Sequence, residues 1–292
     1  MSEPVAAQRA GGRIGVVGAG TMGTGIAYVF AAAGAEVTVV EPDGERARAA
    51  LRTAATQAAR AAERGRLDAA VAQGVPDRLT VVADVAELPE GLDLIVESVP
   101  ERMELKRAVL AAAERRSPRL LASNTSGLPI SELGADLDRP ADFLGLHFFN
   151  PVWSMPLIEI VHSPATAPEQ IDAARAAAEL VGKETIVVRD APGFATSRLG
   201  IALGLEAIRM LADGVAAAAD IDRAMELGYR HPMGPLRLTD LVGLDVRLDV
   251  ARNLAKTYGD RFDPPQLLVD KVAAGELGRK TGRGFYDWPA PD

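Results

Sequence analysis

RIGVVGAGTMGTGIA, residues 13–27, is the stretch that decides the fold. Its first five residues (RIGVV) are a short apolar run that predicts a buried strand. The next residues carry the pattern GxGxxG at Gly18, Gly20 and Gly23, and the Ala-rich segment 21–33 predicts a helix that stops at Gly34. In such a loop the first glycine permits a tight turn, the second lets the backbone approach a pyrophosphate, and the third lets the helix pack on the strand. The unpaired N–H groups at the start of the helix face the phosphates. The stretch therefore predicts a dinucleotide-binding unit.

An acidic residue follows the second predicted strand, Glu36–Val40. Glu41 comes 18 residues after Gly23, close to the spacing of about 20 at which an acid binds the ribose of a dinucleotide. A carboxylate there accepts hydrogen bonds from both ribose hydroxyls and repels a 2′-phosphate, and no arginine immediately follows Glu41 to bind that phosphate. The pattern favours NAD over NADP. The alternative is a glycine turn followed by a surface glutamate.

Strands and helices alternate along the first two thirds of the chain. Further strands are predicted at 79–82, 92–96, 120–122, 143–149, 157–161 and 185–189, and helices at 43–73, 103–115 and 171–180. This alternation predicts an α/β domain with a mostly parallel sheet over residues 13–189. After Ala191-Pro192-Gly193 the pattern changes to long apolar-periodic stretches at 197–213, 220–227, 236–257 and 265–274. A smaller all-α domain is predicted over 190–292.

Composition excludes several classes of protein. The net charge is −8, which argues against nucleic acid as a partner. No cysteine is present, so disulfides, thiolate metal sites and cysteine nucleophiles are excluded. No apolar run reaches the roughly 18 residues of a membrane helix, and Met1–Gly12 predicts a short disordered lead-in rather than a secretory signal. We expect a soluble, cytoplasmic protein with no membrane partner.

One of the three histidines lies in a pattern that predicts chemistry. His147 falls in an apolar strand with Asn150 three residues later, and Glu159 lies in the next strand. A carboxylate that orients an imidazole makes a general base able to take the proton of an alcohol. Oxidation of an alcohol by NAD needs such a base, because the hydride alone goes to the nicotinamide. The alternatives are a hydrogen-bonded core histidine and a surface glutamate on an edge strand.

Five motifs in the same order resemble the L-3-hydroxyacyl-CoA dehydrogenase family, which includes the bacterial 3-hydroxybutyryl-CoA dehydrogenases. They are Gly18–Ala27 (GAGTMGTGIA), Ser123–Gly127 (SNTSG), Gly145–Pro151 (GLHFFNP), Gly228–Asp245 (GYRHPMGPLRLTDLVGLD) and Leu277–Tyr286 (LGRKTGRGFY). The resemblance extends from Arg13 to Trp288. It implies an NAD-dependent oxidoreductase of fatty acid metabolism that acts at C3 of a 3-hydroxyacyl-CoA. It also implies a Rossmann-like domain followed by a helical domain that forms a homodimer and helps to bind the substrate.

The resemblance also implies roles for individual residues. His147 matches the catalytic base, Glu159 its partner, Ser126 a serine that bonds near the 3-oxygen of the substrate, and Asn150 an asparagine of the nicotinamide and substrate pocket. The positions that match cofactor contacts are Gly18, Gly20, Thr21, Met22, Gly23, Glu41, Glu101, Lys106, Asn124 and Lys280.

The chain departs from the family in the segment after Pro192-Gly193-Phe194. Ser197 stands where the family usually has asparagine; its hydroxyl still donates and accepts but reaches less far. We include Ser197 among the groups that hold the reacting oxygen. Gly127 replaces a frequent second serine, a minor change.

The resemblance implies that Arg60 and Arg64 bind the CoA nucleotide, because they lie four apart on a predicted helix at positions where the family carries lysines. Arginine suits phosphate through its forked donors, and the alternative is a solvated basic helix face. Two other functions stay open: an NAD-dependent dehydrogenase of a hydroxy acid without CoA, as in the gulonate- and carnitine-like branches, and a non-catalytic NAD-binding protein. Ser197 favours the first of these, and Arg60 with Arg64 argues against it.

Overall fold

The computed structural model describes residues 11–289. The lead-in predicted over Met1–Gly12 lies outside the described residues except for its last two. Contacts divide the chain into two compact units; the first ends at Asp190 and the second begins at Ala191.

A single eight-stranded sheet forms the centre of the first unit. Its strands are β1 Arg13–Val17, β2 Glu36–Val40, β3 Leu79–Val82, β4 Leu94–Glu97, β5 Leu120–Ser123, β6 Phe143–Phe148, β7 Leu157–His162 and β8 Glu184–Arg189. The strand order is β3-β2-β1-β4-β5-β6-β7-β8. All neighbouring strands are parallel except β6 and β7. The predicted α/β fold with a mostly parallel sheet is confirmed.

Six helices accompany the sheet within the described part of this unit: α1 Thr21–Ala32, α2 Gly44–Glu63, α3 Ala69–Gly74, α4 Met103–Glu114, α5 Ile130–Leu133 and α6 Pro168–Leu180. The single helix predicted over 43–73 is wrong, because two helices occupy that range. The second begins where the Asp68 side chain accepts the backbone N–H groups of Ala70 and Val71 at 2.8 and 3.3 Å. An aspartate at this position caps a new helix rather than continuing the old one.

The order of the strands creates an opening at one edge of the sheet. From β1 the chain runs to β2 and β3 on one side, and then returns to β4 on the other side of β1. The loops that leave β1 and β4 therefore diverge, and a crevice opens between the carboxyl ends of these strands. Val16 and Val96, on the two strands, are completely buried, so the sheet beneath the crevice is closely packed.

The second unit is helical and contains α7 Thr196–Ala212, α8 Ala218–Gly228, α9 Pro235–Val242, α10 Leu244–Tyr258 and α11 Gln266–Ala273. The uninterrupted stretch predicted over 236–257 is broken at Gly243, whose φ of 109° lies in a region that favours glycine. None of the helices between residues 11 and 289 is long and apolar enough to cross a membrane.

A buried aspartate holds the last described residues against the helical unit. Asp240 is 1 % exposed and accepts the backbone N–H groups of Phe285 and Tyr286 at 2.8 and 2.9 Å. It also accepts the indole N–H of Trp288 at 2.8 Å. Three donors on one buried carboxylate fix the path of the chain over residues 285–288.

Candidate active site

A cavity of about 1050 Å³ opens at the carboxyl edge of the sheet in the first unit. Its wall is built from residues at or just after the carboxyl ends of β1 to β6, together with one side of α4. The volume suits a ligand of cofactor size. Of the predicted site residues, this wall contains Gly18, Gly20, Thr21, Met22, Glu41, Glu101, Asn124, Ser126, His147 and Asn150.

The glycine loop between β1 and α1 is shaped for a phosphate. Gly18 has a φ of 101°, and a Cβ there would lie 2.9 Å from the carbonyl oxygen of Ser98. A Cβ on Gly23 would lie 1.8 Å from the carbonyl oxygen of Gly18, so only glycine allows the helix to start this close to the strand. Helix α1 begins without a side-chain cap and without an acidic residue in its first turn. Its first N–H groups are therefore available to an anion, and the loop fits the pyrophosphate of NAD.

Glu41 lies at the end of β2 and is 7 % exposed. One carboxylate oxygen, Oε2, accepts the N–H of Ala19 at 3.2 Å, and the other, Oε1, accepts the N–H of Asp43 at 3.0 Å. Burial raises the pKa of this carboxyl, but these backbone hydrogen bonds and the guanidinium of Arg46 outweigh burial and hold the pKa below its ordinary value. Glu41 is therefore an anion at neutral pH, directly beside the glycine loop.

Sequence reasoning missed Arg46, which folds back onto Glu41. Its Nε and Nη2 donate to Oε1 of Glu41 at 3.1 and 2.9 Å, and Arg46 also lines the cavity. The sequence carried one signal for this contact, the helix-capping residue Asp43 only two positions after Glu41. Asp43 starts α2 and accepts the N–H of Arg46 at 3.0 Å. An arginine in the first turn of α2 is thereby held close to the end of β2.

His147 and Glu159 meet across the antiparallel pair β6 and β7. The two residues are direct partners in the register, so their side chains leave the sheet on the same face. Nδ1 of His147 lies 2.8 Å from Oε2 of Glu159. Glu159 is completely buried and His147 is 6 % exposed. The alternative of a surface glutamate on an edge strand is wrong, because β8 pairs with the outer side of β7.

The loop after β5 is held by a carboxylate from the loop after β4. Oε1 of Glu101 accepts the hydroxyl of Thr125 at 2.6 Å and the N–H groups of Ser126 and Gly127 at 3.0 and 3.2 Å. Asn124 accepts the N–H of Phe148 at 2.9 Å, so it ties the same loop to β6. These bonds place the Ser126 hydroxyl on the cavity wall.

Lys106 does not line the cavity, although the resemblance implies that it contacts the cofactor. It is 1 % exposed, it is absent from the cavity wall, and its Nζ lies 2.8 and 3.0 Å from the two oxygens of Glu97. Glu97 is completely buried and also accepts the Ser123 hydroxyl at 2.6 Å. Nζ of Lys106 is 3.4 Å from Oε2 of Glu101. Lys106 thus lies behind the wall and orients Glu101; sequence reasoning missed Glu97, a strand residue without a motif.

The remaining predicted residues lie away from this cavity wall or in the second unit. Arg60 is in the last turn of α2 and Arg64 is its C-cap; both are exposed, and within residues 11–289 neither forms an ion pair. In the second unit, Ser197 is half-buried in the first turn of α7. Lys280 is bound to Asp245, with Nζ 2.6 Å from Oδ1.

Models of known families match the chain in two consecutive parts. Residues 13–191 match the NAD binding domain of 3-hydroxyacyl-CoA dehydrogenase, and residues 193–288 match its C-terminal domain. A probable 3-hydroxybutyryl-CoA dehydrogenase of Bacillus subtilis is 40% identical over 94% of this chain and 97% of its own length. A 3-hydroxybutyryl-CoA dehydrogenase of Mycobacterium tuberculosis is 40% identical over 94% and 98%. The crystal structure of (S)-3-hydroxybutyryl-CoA dehydrogenase from Ralstonia eutropha superposes with a TM-score of 0.91 at 35% identity, covering 97% of this chain and all of that one.

A doubly wound sheet with a glycine loop at its switch point and an acidic residue at the end of β2 defines the class of Rossmann-like dinucleotide-binding proteins. Both family models match in order and together leave few residues uncovered. The chain belongs to the 3-hydroxyacyl-CoA dehydrogenase family, and NAD is its cofactor.

Proposed function

We propose that His147 is the general acid–base with which this dehydrogenase interconverts a short-chain 3-hydroxyacyl-CoA and the 3-ketoacyl-CoA. The observation that carries the proposal is the 2.8 Å contact between His147 and the buried Glu159 at the edge of the cofactor cavity. A carboxylate in this position accepts the Nδ1 proton, so the neutral imidazole carries its lone pair on Nε2. This is the tautomer that a base requires.

The proton follows one route in each direction. The glycine loop and Glu41 would hold NAD, which would supply the acceptor for the hydride of C3. His147 removes the proton of the 3-hydroxyl at Nε2, and Glu159 stabilises the imidazolium that forms. Ser126 and Asn150, both on the cavity wall, hold the 3-oxygen. The role of Ser197 stays a prediction from the sequence. In the reverse direction the imidazolium returns the proton to the 3-oxygen.

Replacing His147 tests this proposal. His147→Gln should lower kcat by about 10²–10⁴, the usual contribution of general acid–base catalysis, while the Kd for NADH stays unchanged. A near-normal kcat, or an equal loss of NADH affinity, would show that His147 has a structural role instead.

The proposal that the substrate is a CoA thioester depends on two arginines at the end of α2. Arg60 and Arg64 present exposed guanidinium groups without carboxylate partners among the described residues, and such groups bind the phosphates of a CoA nucleotide well. Arg60→Ala/Arg64→Ala should raise KM for acetoacetyl-CoA by about tenfold or more, the scale of one charge-assisted contact. KM for a short acetoacetyl thioester that lacks the nucleotide should not change. Arg115→Ala/Arg175→Ala removes the same charge from exposed positions at the end of α4 and on α6, away from α2, and serves as the control.

A second candidate is a hydroxy acid without CoA, which Ser197 in place of asparagine favours. Turnover of a panel of acyl-CoAs beside free hydroxy acids separates the two. Activity on the free acids alone would replace the acyl-CoA proposal, whereas an unchanged KM for acetoacetyl-CoA in the Arg60→Ala/Arg64→Ala variant would refute only the contact of these two arginines with the CoA nucleotide.

We also propose that the domain predicted from the sequence over 190–292, which corresponds to the second unit, is the dimerisation and substrate domain, and that residues 13–189 are the cofactor domain. The support is a set of exposed apolar side chains on α7, α9 and α10: Leu199, Leu238, Leu241, Val242 and Val246. Exposed apolar side chains in such number are typical of a protein interface. Light scattering at micromolar concentration should report a homodimer, which Leu241→Glu/Val246→Glu should weaken. A wild-type monomer would contradict the proposal.

The cytoplasmic location also stays a prediction, and cell fractionation would test it.

A further inference from the structure

Arg46 forms an ion pair with Glu41, the residue to which we assign the choice of cofactor. Glu41 is buried, whereas the side chain of Arg46 is 62% exposed and reaches Glu41 with two N–H groups at 2.9 and 3.1 Å. The hydrogen bond and the charge of Glu41 raise the pKa of the guanidinium. The pair is therefore ionised, and its two charges nearly cancel at the place where the ribose of a dinucleotide binds.

The carboxylate has little capacity left for a ligand. Oε1 of Glu41 accepts three N–H groups, two from Arg46 and one from the Asp43 backbone, and Oε2 accepts one from Ala19. A carboxylate offers about four acceptor positions. Two ribose hydroxyls can bind to Glu41 only if Arg46 withdraws from it, so the arginine and the ribose compete for the same oxygen.

Two other carboxylates lie near this end of the cavity, and both already accept backbone N–H groups, Asp43 at the start of α2 and Asp84 at the start of a 3₁₀ turn, Val85–Glu87. Asp43 accepts the N–H groups of Glu45 and Arg46 at 2.9 and 3.0 Å, and Asp84 accepts that of Ala86 at 2.8 Å. The nearer of them, Asp43, lies 4.0 Å from Nη2 of Arg46. Among the described residues of the cavity wall, Arg46 is the only lysine or arginine, and it lies beside Glu41, the carboxylate that binds it.

We propose that Arg46 is a latent ligand for the 2′-phosphate of NADP, which Glu41 keeps out of use. While the carboxylate is present, it binds the guanidinium and repels the phosphate. Without the carboxylate, a cation with forked donors remains at the ribose end of the cavity, and such a group binds phosphate through two parallel hydrogen bonds. Cofactor choice then depends on two residues, Glu41 as the acceptor for NAD and Arg46 as the donor for NADP.

The test measures binding of NADH and NADPH to the full chain by fluorescence, in wild type, Glu41→Ser, Arg46→Met and the double variant. Glu41→Ser should bind NADPH about tenfold more tightly than wild type does, the scale of one charge-assisted contact, and bind NADH more weakly. Adding Arg46→Met should abolish the gain for NADPH. Arg46→Met alone should increase the preference for NADH, because Glu41 is then no longer neutralised.

Controls separate this effect from a general change of charge or stability. Arg48→Met removes a cation two residues further along α2, one that pairs with Glu45, and it should leave the gain of Glu41→Ser intact. Glu41→Gln is the second variant if Glu41→Ser does not fold, because its amide oxygen can still accept a backbone N–H. No gain for NADPH in either variant, or the same gain without Arg46, would overturn the proposal. Binding needs no turnover, so failure here is distinct from failure of the role assigned to His147.

Discussion

Glu159→Gln gives the sharpest test of the mechanism, because it changes charge and almost nothing else. The glutamine occupies the same buried site beside Nδ1 of His147 but cannot neutralise an imidazolium. The substitution removes a charge-assisted hydrogen bond worth about 1.5–3 kcal/mol, and each 1.36 kcal/mol or so of barrier is tenfold in rate. We therefore expect kcat to fall by about 10- to 150-fold, with NADH affinity unchanged.

A double-variant cycle decides whether Glu159 acts through His147. If it does, Glu159→Gln should cost nothing further in the His147→Gln background, so the double variant should be as slow as His147→Gln alone. His162→Gln, at the end of β7, is the control for a histidine change in the same pair of strands and should leave kcat intact. Steady-state rates are compared well below the melting temperature of each variant. Losses that multiply in the double variant would refute the coupling and place Glu159 in an independent role.

Three further outcomes are expected. Lys106→Met should destabilise the protein by about 3–5 kcal/mol, because it leaves Glu97 buried without its cation; Lys106→Met/Glu97→Gln should recover much of this in denaturant unfolding. Asp240→Asn should cost about 1–3 kcal/mol of unfolding free energy, since an amide cannot accept all three N–H groups, while NADH affinity stays the same. The pKa of Glu41 lies below its ordinary value, so NADH affinity should hold as pH falls from about 7 to the ordinary pKa of a glutamate, about 4.3, and decline only below it; a decline near pH 6 in fluorescence titrations would point to another group.

Local signals explain what the sequence predicted well. The glycine loop is a contiguous motif whose steric demands act between Gly18 and Gly23, and Glu41 follows at a distance set by one helix and one strand. His147 and Glu159 lie on neighbouring strands, where the two-residue period of side chains and a short connection bring them to one face. These features depend on few residues that are near in sequence.

The features that sequence reasoning missed depend on interactions that no periodicity encodes. Arg46 reaches Glu41 because Asp43 starts α2 at once, and a shift of one residue in that cap would turn the arginine elsewhere. Glu97 and Lys106 are nine residues apart on different elements, and only the packing of α4 on the sheet buries both. Asp68 falls inside the helix predicted over 43–73, although its side chain caps the next helix. Side-chain capping and buried ion pairs are decided in three dimensions.

The pairing of β6 with β7 also has a consequence for how this enzyme can vary. The distance between His147 and Glu159 is set by the hydrogen-bond ladder, in which Gly145 to Phe148 pair with Val161 to Ile158. It is not set by residues 149–156, which join the strands. Only Phe149 and Asn150 of that connection line the cavity, whereas Val152 is buried in the core and Lys183 binds its carbonyl oxygen. The side chain at position 149 can therefore vary while the proton-transfer pair stays in place. A designer who wishes to reshape the rim of this cavity can replace Phe149, provided that the register of the two strands and the anchor at Val152 are preserved.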